Sequence, residues 1–217
     1  MADIKKCWAA YHNTQDQGAL TGTGFDYILE YYELRDFLKT GMNVLEIGVG
    51  FGLGAKGFRD DGCAVSVMDI CEEAFPPVRD IACATYLHEN AHELPTGHFD
   101  LAISHLVTQH MAEEDILWQF PHVIRSLAPG GRFLVQFAGS DTKRENNVKE
   151  TIVGHANDGL AGKVSMLGGR MVRTEDYATD LIGECGGRVA RVGGIIHYPK
   201  YKSYWYWLDV RKNDADA

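Results

Sequence analysis

The sequence lacks the cysteine and histidine spacings that mark structural metal sites or a disulfide framework. Its five cysteines form no C-x-x-C pair, and its nine histidines include no H-E-x-x-H pattern. An odd number of scattered cysteines is typical of reduced thiols. We therefore predict neither a disulfide framework nor a bound metal.

Positive charge and long apolar runs are also scarce. The chain has 21 basic against 30 acidic residues and a formal net charge of -9. This balance argues against a protein that wraps nucleic acid or lies on anionic lipid. No stretch approaches the roughly 18 apolar residues of a membrane span, and no charged segment followed by an apolar run opens the chain. We expect a cytoplasmic protein that binds a small molecule, with neither nucleic acid nor membrane as a partner.

The 217 residues, 45% of them hydrophobic, fit one folded unit without a linker or an internal repeat. We therefore predict a single domain over residues 1–217. Apolar residues at helical spacing alternate along it with short apolar runs typical of strands. The predicted helices are 25–39, a segment starting at Leu53, 113–127, and a segment capped by Thr174. The predicted strands are 44–47, 64–68, 83–87, 99–104, 132–137, 189–197 and 204–210.

This alternation predicts an α/β fold, a mostly parallel sheet with helices on both faces. The last two strands are joined by only a short connection containing Pro199. A connection that short favours an antiparallel hairpin over a parallel crossover.

The strongest chemical signal is the run EIGVGFG at residues 46–52, where an acid ends a strand and glycines follow at alternate positions. Glycine permits backbone angles closed to other residues and lets the main chain approach a ligand closely. Glu46 is placed to fix the turn or to balance a cationic ligand. Asp69 ends the second strand, where an acid can accept both hydroxyls of a ribose.

Taken together, these features resemble the class I S-adenosylmethionine-dependent methyltransferases, from about residue 42 to 211. VLEIGVGFG is similar to the family's donor-binding loop, and Asp69 to its ribose-binding acid. Asn90 and Ala91 match the position after the third strand that meets the adenine, and LAPGGRF at 127–133 resembles the turn into the fifth strand. The resemblance implies a Rossmann-like seven-stranded sheet with an antiparallel last strand.

The same resemblance implies S-adenosyl-L-methionine as the cofactor and residues 1–40 as an N-terminal helical cover over it. The residues that it places around this donor are Tyr11, Glu46, Gly48, Gly50, Gly52, Asp69, Ile70, Asn90, Ala91 and Ser104.

Two other functions stay open. Residues 50–55 (GFGLGA) satisfy the dinucleotide pattern G-x-G-x-x-A, which would suit an NAD(P)-dependent oxidoreductase. If the pattern is counted instead from Gly48, the first glycine after the strand, its third glycine position falls on Leu53. The dinucleotide motif calls for glycine or alanine there, which argues against NAD(P) as the cofactor. The second alternative is a catalytically silent member of the methyltransferase fold that serves as a binding protein.

His105 and His110 are the candidate catalytic bases, because both follow the fourth strand at the edge of the sheet where ligands bind. A hydroxyl acceptor must lose its proton near the transition state, and histidine suits that task near neutral pH. The alternative is that both histidines only line the pocket. The segment Ser104-His105-Leu106-Val107 carries neither the motif of nucleobase amine methylation nor an acid for magnesium, so metal-free transfer is expected.

Residues 140–173 are too long for a simple connection, and we predict that they form an insertion that binds the acceptor. They hold six basic residues against four acidic ones within a chain of net charge -9. This contrast favours an anionic acceptor: a phosphorylated or nucleotide-linked metabolite methylated on a hydroxyl or phosphate oxygen, or a carboxylate or phosphate itself. Arg144, Arg170 and Arg173 are the predicted acceptor-binding residues. An ordinary solvated loop is the alternative.

Overall fold

The structure is a computed structural model that describes residues 5–6, 8–10, 12, 24–140, 150–153, 170–198 and 203–213. The described residues between 5 and 12 are helical. None of the helices in these ranges combines the length and apolar character that a membrane crossing needs.

One sheet contains the strands β1 Asn43–Ile47, β2 Ala64–Asp69, β3 Ala84–Leu87, β4 Phe99–Ser104, β5 Leu127–Ser140, β8 Gly187–Tyr198 and β9 Ser203–Lys212. Their order in the sheet is β3-β2-β1-β4-β5-β9-β8. Strands β1 to β5 run parallel, and β9 lies antiparallel between β5 and β8. This topology confirms the predicted fold and the antiparallel last strand. A separate antiparallel pair joins β6 Glu150–Val153 to β7 Arg170–Arg173.

Among the described residues, the longer helix α1 Phe25–Tyr31 precedes β1, and three more lie between strands, at α2 Leu53–Asp60, α3 Glu113–Ser126 and α4 Glu175–Glu184. Helix α4 begins as predicted, since the Thr174 hydroxyl accepts a hydrogen bond from the Tyr177 backbone N–H at 3.3 Å. Short 3-10 turns occupy Glu72–Ala74, Pro76–Val78, His88–Glu93 and Thr108–His110.

Helix α1 is shorter than the predicted 25–39, and its end brings two tyrosines into the interior. Glu33 adopts a φ of 54°, and the Leu34 N–H donates to the Leu29 carbonyl at 2.8 Å, so the chain leaves the helix after Tyr31. Leu34 continues the apolar spacing that suggested a longer helix, and this turn buries it completely without helical backbone. Tyr31 and Tyr32 are both buried as a result, although they are adjacent in sequence.

Strand β5 is longer than the predicted 132–137 and contains the Pro-Gly-Gly turn as an irregularity. The pairing with β4 shifts register between Phe99 and Leu101. A Cβ atom at Gly131 would lie 2.7 Å from the Phe99 carbonyl oxygen, which explains why this close approach of two strands requires glycine.

Both faces of the sheet are covered. On β9, Tyr206 packs into the cluster that contains Phe120, and its neighbour Trp207 packs into the cluster that contains Phe58. Alternate residues of a strand point to opposite faces, so the aromatic run at 204–207 is buried from both sides. The carboxyl ends of the parallel strands are therefore the edge that is left to bind a ligand.

Candidate functional site

A cavity of about 280 Å³ lies at the carboxyl ends of β1, β2 and β4. Its walls come from the β1–α2 turn, the residues after β3 and β4, the start of α3 and the N-terminal helical residues. It brings together seven of the predicted site residues: Glu46, Gly48, Gly50, Asp69, Ile70, His105 and His110.

Glu46 is held buried at the start of α2. The Ala55 backbone N–H donates to its carboxyl group, while its Oε2 atom has no hydrogen-bond partner among the described residues. Burial, with a further contribution from Asp69, raises its pKa to about 8. A carboxyl group in this state favours a cationic ligand, because a nearby positive charge stabilises its ionised form.

The glycine turn follows β1 and forms the floor of the cavity. Gly48 has a φ of 74°, and a Cβ atom there would lie 2.1 Å from Cγ2 of Val107. Both the backbone angle and the contact with the β4 turn therefore require glycine at this position.

Asp69 connects the end of β2 to that turn. Its carboxylate accepts hydrogen bonds from the backbone N–H groups of Val49 at 3.0 Å and Ile70 at 2.7 Å. Burial raises its pKa to about 6, and the N–H donors partly oppose that shift. Asp69 thus stands at the cavity wall as a hydrogen-bond acceptor, which is the role predicted for a ribose-binding acid.

Sequence reasoning missed a polar pair in the cavity wall, formed by His88 after β3 and Gln119 of α3. Gln119 Nε2 lies 3.1 Å from His88 Nδ1, and His88 Nε2 lies 3.8 Å from the Asp115 carboxylate. Gln119 Oε1 and His88 Nε2 are buried, and neither has a hydrogen-bond partner within the described ranges. Buried polar atoms of this kind indicate a ligand or water that satisfies them. The histidine immediately after β3 was the available sequence signal, but the family pattern pointed two residues farther along.

His105 follows β4 and lines the cavity next to the tyrosines in α1 and directly after it. Its Nδ1 atom lies 3.0 Å from the Tyr32 hydroxyl oxygen, and its ring is 6.1 Å from the ring of Tyr27. Burial lowers the pKa of His105 to about 4. The neutral imidazole is therefore its form at neutral pH, and such a low pKa makes it a weak general base.

His110 lies beneath the N-terminal helical residues. Its ring meets Trp8 edge-on at 5.2 Å, while the ring of His12 lies 5.6 Å from Phe51 of the glycine turn. All four side chains line the cavity. These contacts bring two of the described N-terminal residues, Trp8 and His12, to the cavity wall.

Four predicted donor residues do not line this cavity. Gly52 is the N-cap of α2 and packs on Val78, and Ala91 and Ser104 are fully buried. Asn90 lines a different cleft beside β3. Tyr11, Arg144 and the side chain of Arg170 lie outside the described residues.

Arg173, a predicted acceptor-binding residue, is 1% exposed. Its guanidinium donates to the carbonyl oxygens of Thr108 at 3.0 Å and Met111 at 2.8 Å. In this position it holds the turn after β4 in place, and the turn carries His110.

Within the part of the chain that the structure describes, one group of side chains has ligand atoms close enough to hold a metal ion, namely His12, Asp69 and Cys71, whose atoms lie within 4.8 Å of one another. Two of the three already line the cavity, and Asp69 uses both oxygens to accept backbone N–H groups. The group therefore belongs to the same site.

Comparison with known proteins agrees with this architecture. Residues 45–135 match the model of a family described as a methyltransferase domain. That span runs from β1 to the middle of β5 and includes the glycine turn, Asp69 and His105. This part of the chain is therefore similar to a methyltransferase domain. The match confirms the family resemblance and supports S-adenosylmethionine, rather than a nicotinamide cofactor, as the ligand such a domain implies.

Solved structures show the same fold across nearly the whole chain. The 1,6-didemethyltoxoflavin N1-methyltransferase of Burkholderia thailandensis, bound to 1,6-didemethyltoxoflavin and S-adenosylhomocysteine, is 18% identical, with a TM-score of 0.67 over 97% of this chain and 87% of that one. An S-adenosylmethionine-dependent methyltransferase of Leishmania major is 16% identical, with a TM-score of 0.67 and coverage of 96% and 82%. One from Mesorhizobium loti is 19% identical, with a TM-score of 0.62 and coverage of 87% and 100%. No curated protein matches the sequence.

Proposed function

We propose that this protein transfers a methyl group from S-adenosylmethionine to a small-molecule acceptor. The observation that carries the proposal is the set of buried polar atoms left without partners around one cavity in a methyltransferase domain. Glu46 Oε2 belongs to β1, whereas His88 Nε2 belongs to the turn after β3, two strands away, where Gln119 Oε1 also lies. These atoms suit a ligand that is cationic at one end and a nitrogen heterocycle at the other.

Each part of the cavity has a role in holding such a donor. The Glu46 carboxyl group receives the cationic portion, and the glycine turn admits the chain of the ligand beside the main chain. Asp69 accepts the ribose hydroxyls, and the Gln119–His88 pair takes the polar edge of the adenine. When bound, S-adenosylmethionine supplies a methyl group on a positively charged sulfur that is ready for direct displacement.

The remaining task of the chain is to align the acceptor and exclude water, because displacement at a sulfonium methyl group needs no cofactor beyond the donor. The apolar part of the cavity wall includes Trp8, Phe51 and Met111. His105 and His110 border the same cavity beside the β4 turn. They are the residues that we place against the acceptor.

We also retain the prediction that the acceptor is an anionic metabolite, phosphorylated, nucleotide-linked or carboxylated. It rests on the basic residues between 140 and 173, which lie largely outside the described part of the chain. The described cavity walls carry acidic rather than basic side chains, with Glu46, Asp69 and Asp115 among them. The positive charge for an anionic acceptor therefore has to come from that segment.

Transfer of label tests the proposal. The protein is incubated with S-[methyl-³H]adenosylmethionine and a panel of phosphorylated sugars, nucleotide sugars, carboxylates and amines, with the Asp69→Ala variant as the matched control. Label in at least one acceptor with the wild type, and much less with the variant, is expected. Binding of S-adenosylhomocysteine without transfer to any acceptor would favour a silent binding protein. Absence of binding would overturn the proposal.

A further inference from the structure

The side-chain amide of Gln119 uses both of its hydrogens on neighbouring residues. Its Nε2 atom lies 2.9 Å from the Met68 sulfur and 3.1 Å from His88 Nδ1. Met68 immediately precedes Asp69 at the end of β2, His88 follows β3, and Gln119 belongs to α3. All three side chains are buried, and His88 and Gln119 line the cavity. They form one hydrogen-bonded chain beside the cavity that Asp69 also borders.

The Met68 sulfur determines how the Gln119 amide is oriented. A thioether carries no hydrogen and can only accept, so the amide group that faces it has to be the NH₂ group. In the reversed orientation the amide oxygen would face the sulfur, and the NH₂ group would take the place of Oε1, which has no hydrogen-bond partner among the described residues. Buried donors without acceptors are costly. The amide nitrogen therefore faces Met68 and His88, and the amide oxygen is left for a ligand.

The orientation of this amide in turn fixes the proton of His88. Because Gln119 Nε2 donates, His88 Nδ1 has to accept with its lone pair. Burial lowers the pKa of His88, while the nearby Asp115 partly opposes the shift, so the ring is neutral at neutral pH and carries its one proton on Nε2. The Asp115 carboxylate lies 3.8 Å from Nε2, which favours this tautomer but is too far for a hydrogen bond. Within the described part of the chain, Nε2 has no hydrogen-bond partner.

Helix α3 holds His88 at two points. The Trp118 indole N–H donates to the His88 backbone carbonyl at 3.3 Å, and the next residue, Gln119, holds the imidazole ring. Asp115 lies one turn earlier on the same face of the helix as Gln119, because residues four apart are neighbours on a helix surface. The backbone and the ring of His88 are therefore fixed by the same helix. This arrangement keeps His88 Nε2–H and Gln119 Oε1 in place as one donor and one acceptor.

These two groups match the edge of adenine and oppose the edge of its 6-oxo counterpart, hypoxanthine. Adenine presents its N6 amino group as a donor beside a ring nitrogen that accepts. Gln119 Oε1 suits the amino group, and His88 Nε2–H suits the ring nitrogen. Hypoxanthine has an oxygen in place of the amino group and a hydrogen on N1. Its oxygen would meet the Gln119 oxygen, and both can only accept.

We propose that the chain of Met68, Gln119 and His88 selects a methyl donor with a 6-aminopurine and rejects one with a 6-oxopurine. This inference rests on the proposed methyl transfer. Gln119 and His88 contact the base, whereas Met68 does not line the cavity and acts as a positioning residue through the Gln119 amide. Since Asp69 is assigned to the ribose, two adjacent residues at the end of β2 serve the sugar and the base of the same nucleoside.

The tautomer of His88 is measured without ligand by two-bond ¹⁵N–¹H correlation spectra of the full chain labelled with ¹⁵N-histidine, with its signals assigned from His88→Gln. At neutral pH the wild type is expected to show a neutral ring protonated on Nε2. Met68→Leu nearly conserves the apolar volume but removes the sulfur acceptor, so the amide is free to reverse and the ring should become a mixture of tautomers.

Met42→Leu is the matched control. Met42 is a partly buried methionine that packs against the other core cluster, away from Met68, and its substitution should leave the His88 ring unchanged. A proton on Nδ1 in the wild type would overturn the inference. So would a His88 ring that stays the same in Met68→Leu.

Binding selectivity gives the second arm. Calorimetry compares S-adenosylhomocysteine with S-inosylhomocysteine, its 6-oxo analogue. The wild type is expected to bind the inosyl compound about tenfold or more weakly, because a matched pair of hydrogen bonds to a base edge discriminates by this order. Met68→Leu should bring the ratio of the two dissociation constants closer to one, and Met42→Leu should leave the ratio at its wild-type value. Equal affinities of the wild type for the two compounds would refute the inference.

The two proposals fail in different ways. If the wild type binds neither compound, the proposed function fails and the purine assignment fails with it. If both compounds bind equally well, or if His88 carries its proton on Nδ1, only the purine assignment fails and the proposed methyl transfer stands.

Discussion

A Cβ atom at Gly54 would lie 2.0 Å from Oε1 of Glu46. The first turn of α2 therefore leaves a space that the carboxyl group fills, and the Ala55 N–H in the same turn donates to it. The acid at the end of β1 and the glycine after the turn form one structural unit. This unit places Glu46 in the cavity wall and buries it strongly enough to raise its pKa.

Replacing Gly54 by alanine should displace Glu46. We expect Gly54→Ala to lower the free energy of unfolding by about 1–3 kcal/mol, as overpacking does, and to weaken S-adenosylhomocysteine binding. Urea unfolding and calorimetry measure the two effects. Gly183 in α4 is the control, because a Cβ atom there would meet nothing within 4 Å, and Gly183→Ala should raise stability by about 0.5–1 kcal/mol. Equal effects of the two substitutions would refute the steric role of Gly54.

The raised pKa of Glu46 predicts a specific dependence of stability on pH. Because burial raises its pKa from 4.5 to about 8, the folded protein keeps a proton that the unfolded chain has released between these values. The free energy of unfolding should therefore fall as pH rises through this window and level off above it. Glu46→Gln removes the titrating group.

Urea unfolding of both proteins between pH 5 and 9, without ligand, measures this effect. The stability of the wild type relative to Glu46→Gln should decline as pH rises to about 8. A difference that stays constant with pH would show that the pKa of Glu46 is close to its usual value.

Asp69 should bind the donor through its ionised carboxylate. Asp69→Asn is expected to weaken S-adenosylhomocysteine binding at least tenfold, since a hydrogen bond to a charged group is worth about 1.5–3 kcal/mol. Asp100→Asn is the matched control: Asp100 also accepts a backbone N–H, from Asn43 at 2.9 Å, but it does not line the cavity. Calorimetry should find that Asp100→Asn binds S-adenosylhomocysteine with unchanged affinity. An equal loss in both variants would mean that the effect comes from altered folding.

Arg173 should act on stability, because its guanidinium is buried against two carbonyl groups. We expect Arg173→Met to lower the free energy of unfolding by about 3 kcal/mol, through the loss of two charged hydrogen bonds. Arg191→Met removes an exposed pair with Glu33 and should cost less than about 1 kcal/mol. If Arg173 served only to bind the acceptor, its substitution would leave the midpoint of urea unfolding at the wild-type value.

The sequence predicted the sheet well, because apolar strands and glycine turns are local signals. Strand β4 has the predicted bounds, 99–104, and the short connection at Pro199 correctly indicated the hairpin. The end of α1 was not predictable in the same way. Its apolar spacing continues through Leu34, and only the packing of Tyr31 and Tyr32 shows why the chain turns at Glu33.

The site was predicted where function depends on local backbone, as in the turn from Glu46 to Gly50. It was missed where side chains distant in sequence converge. Gln119 of α3 meets His88 after β3 only in the fold, and Tyr32 reaches His105 only because α1 ends early. Asn90, a position taken from the family pattern, lines another cleft, and its contact with the donor stays a prediction.

Thermal or urea unfolding with and without ligand tests the central claim most directly. S-adenosylhomocysteine at 100 times its dissociation constant should stabilise the protein by about 2.7 kcal/mol, while NAD and NADP at the same concentration should change nothing. Stabilisation by a nicotinamide cofactor and none by S-adenosylhomocysteine would contradict the account.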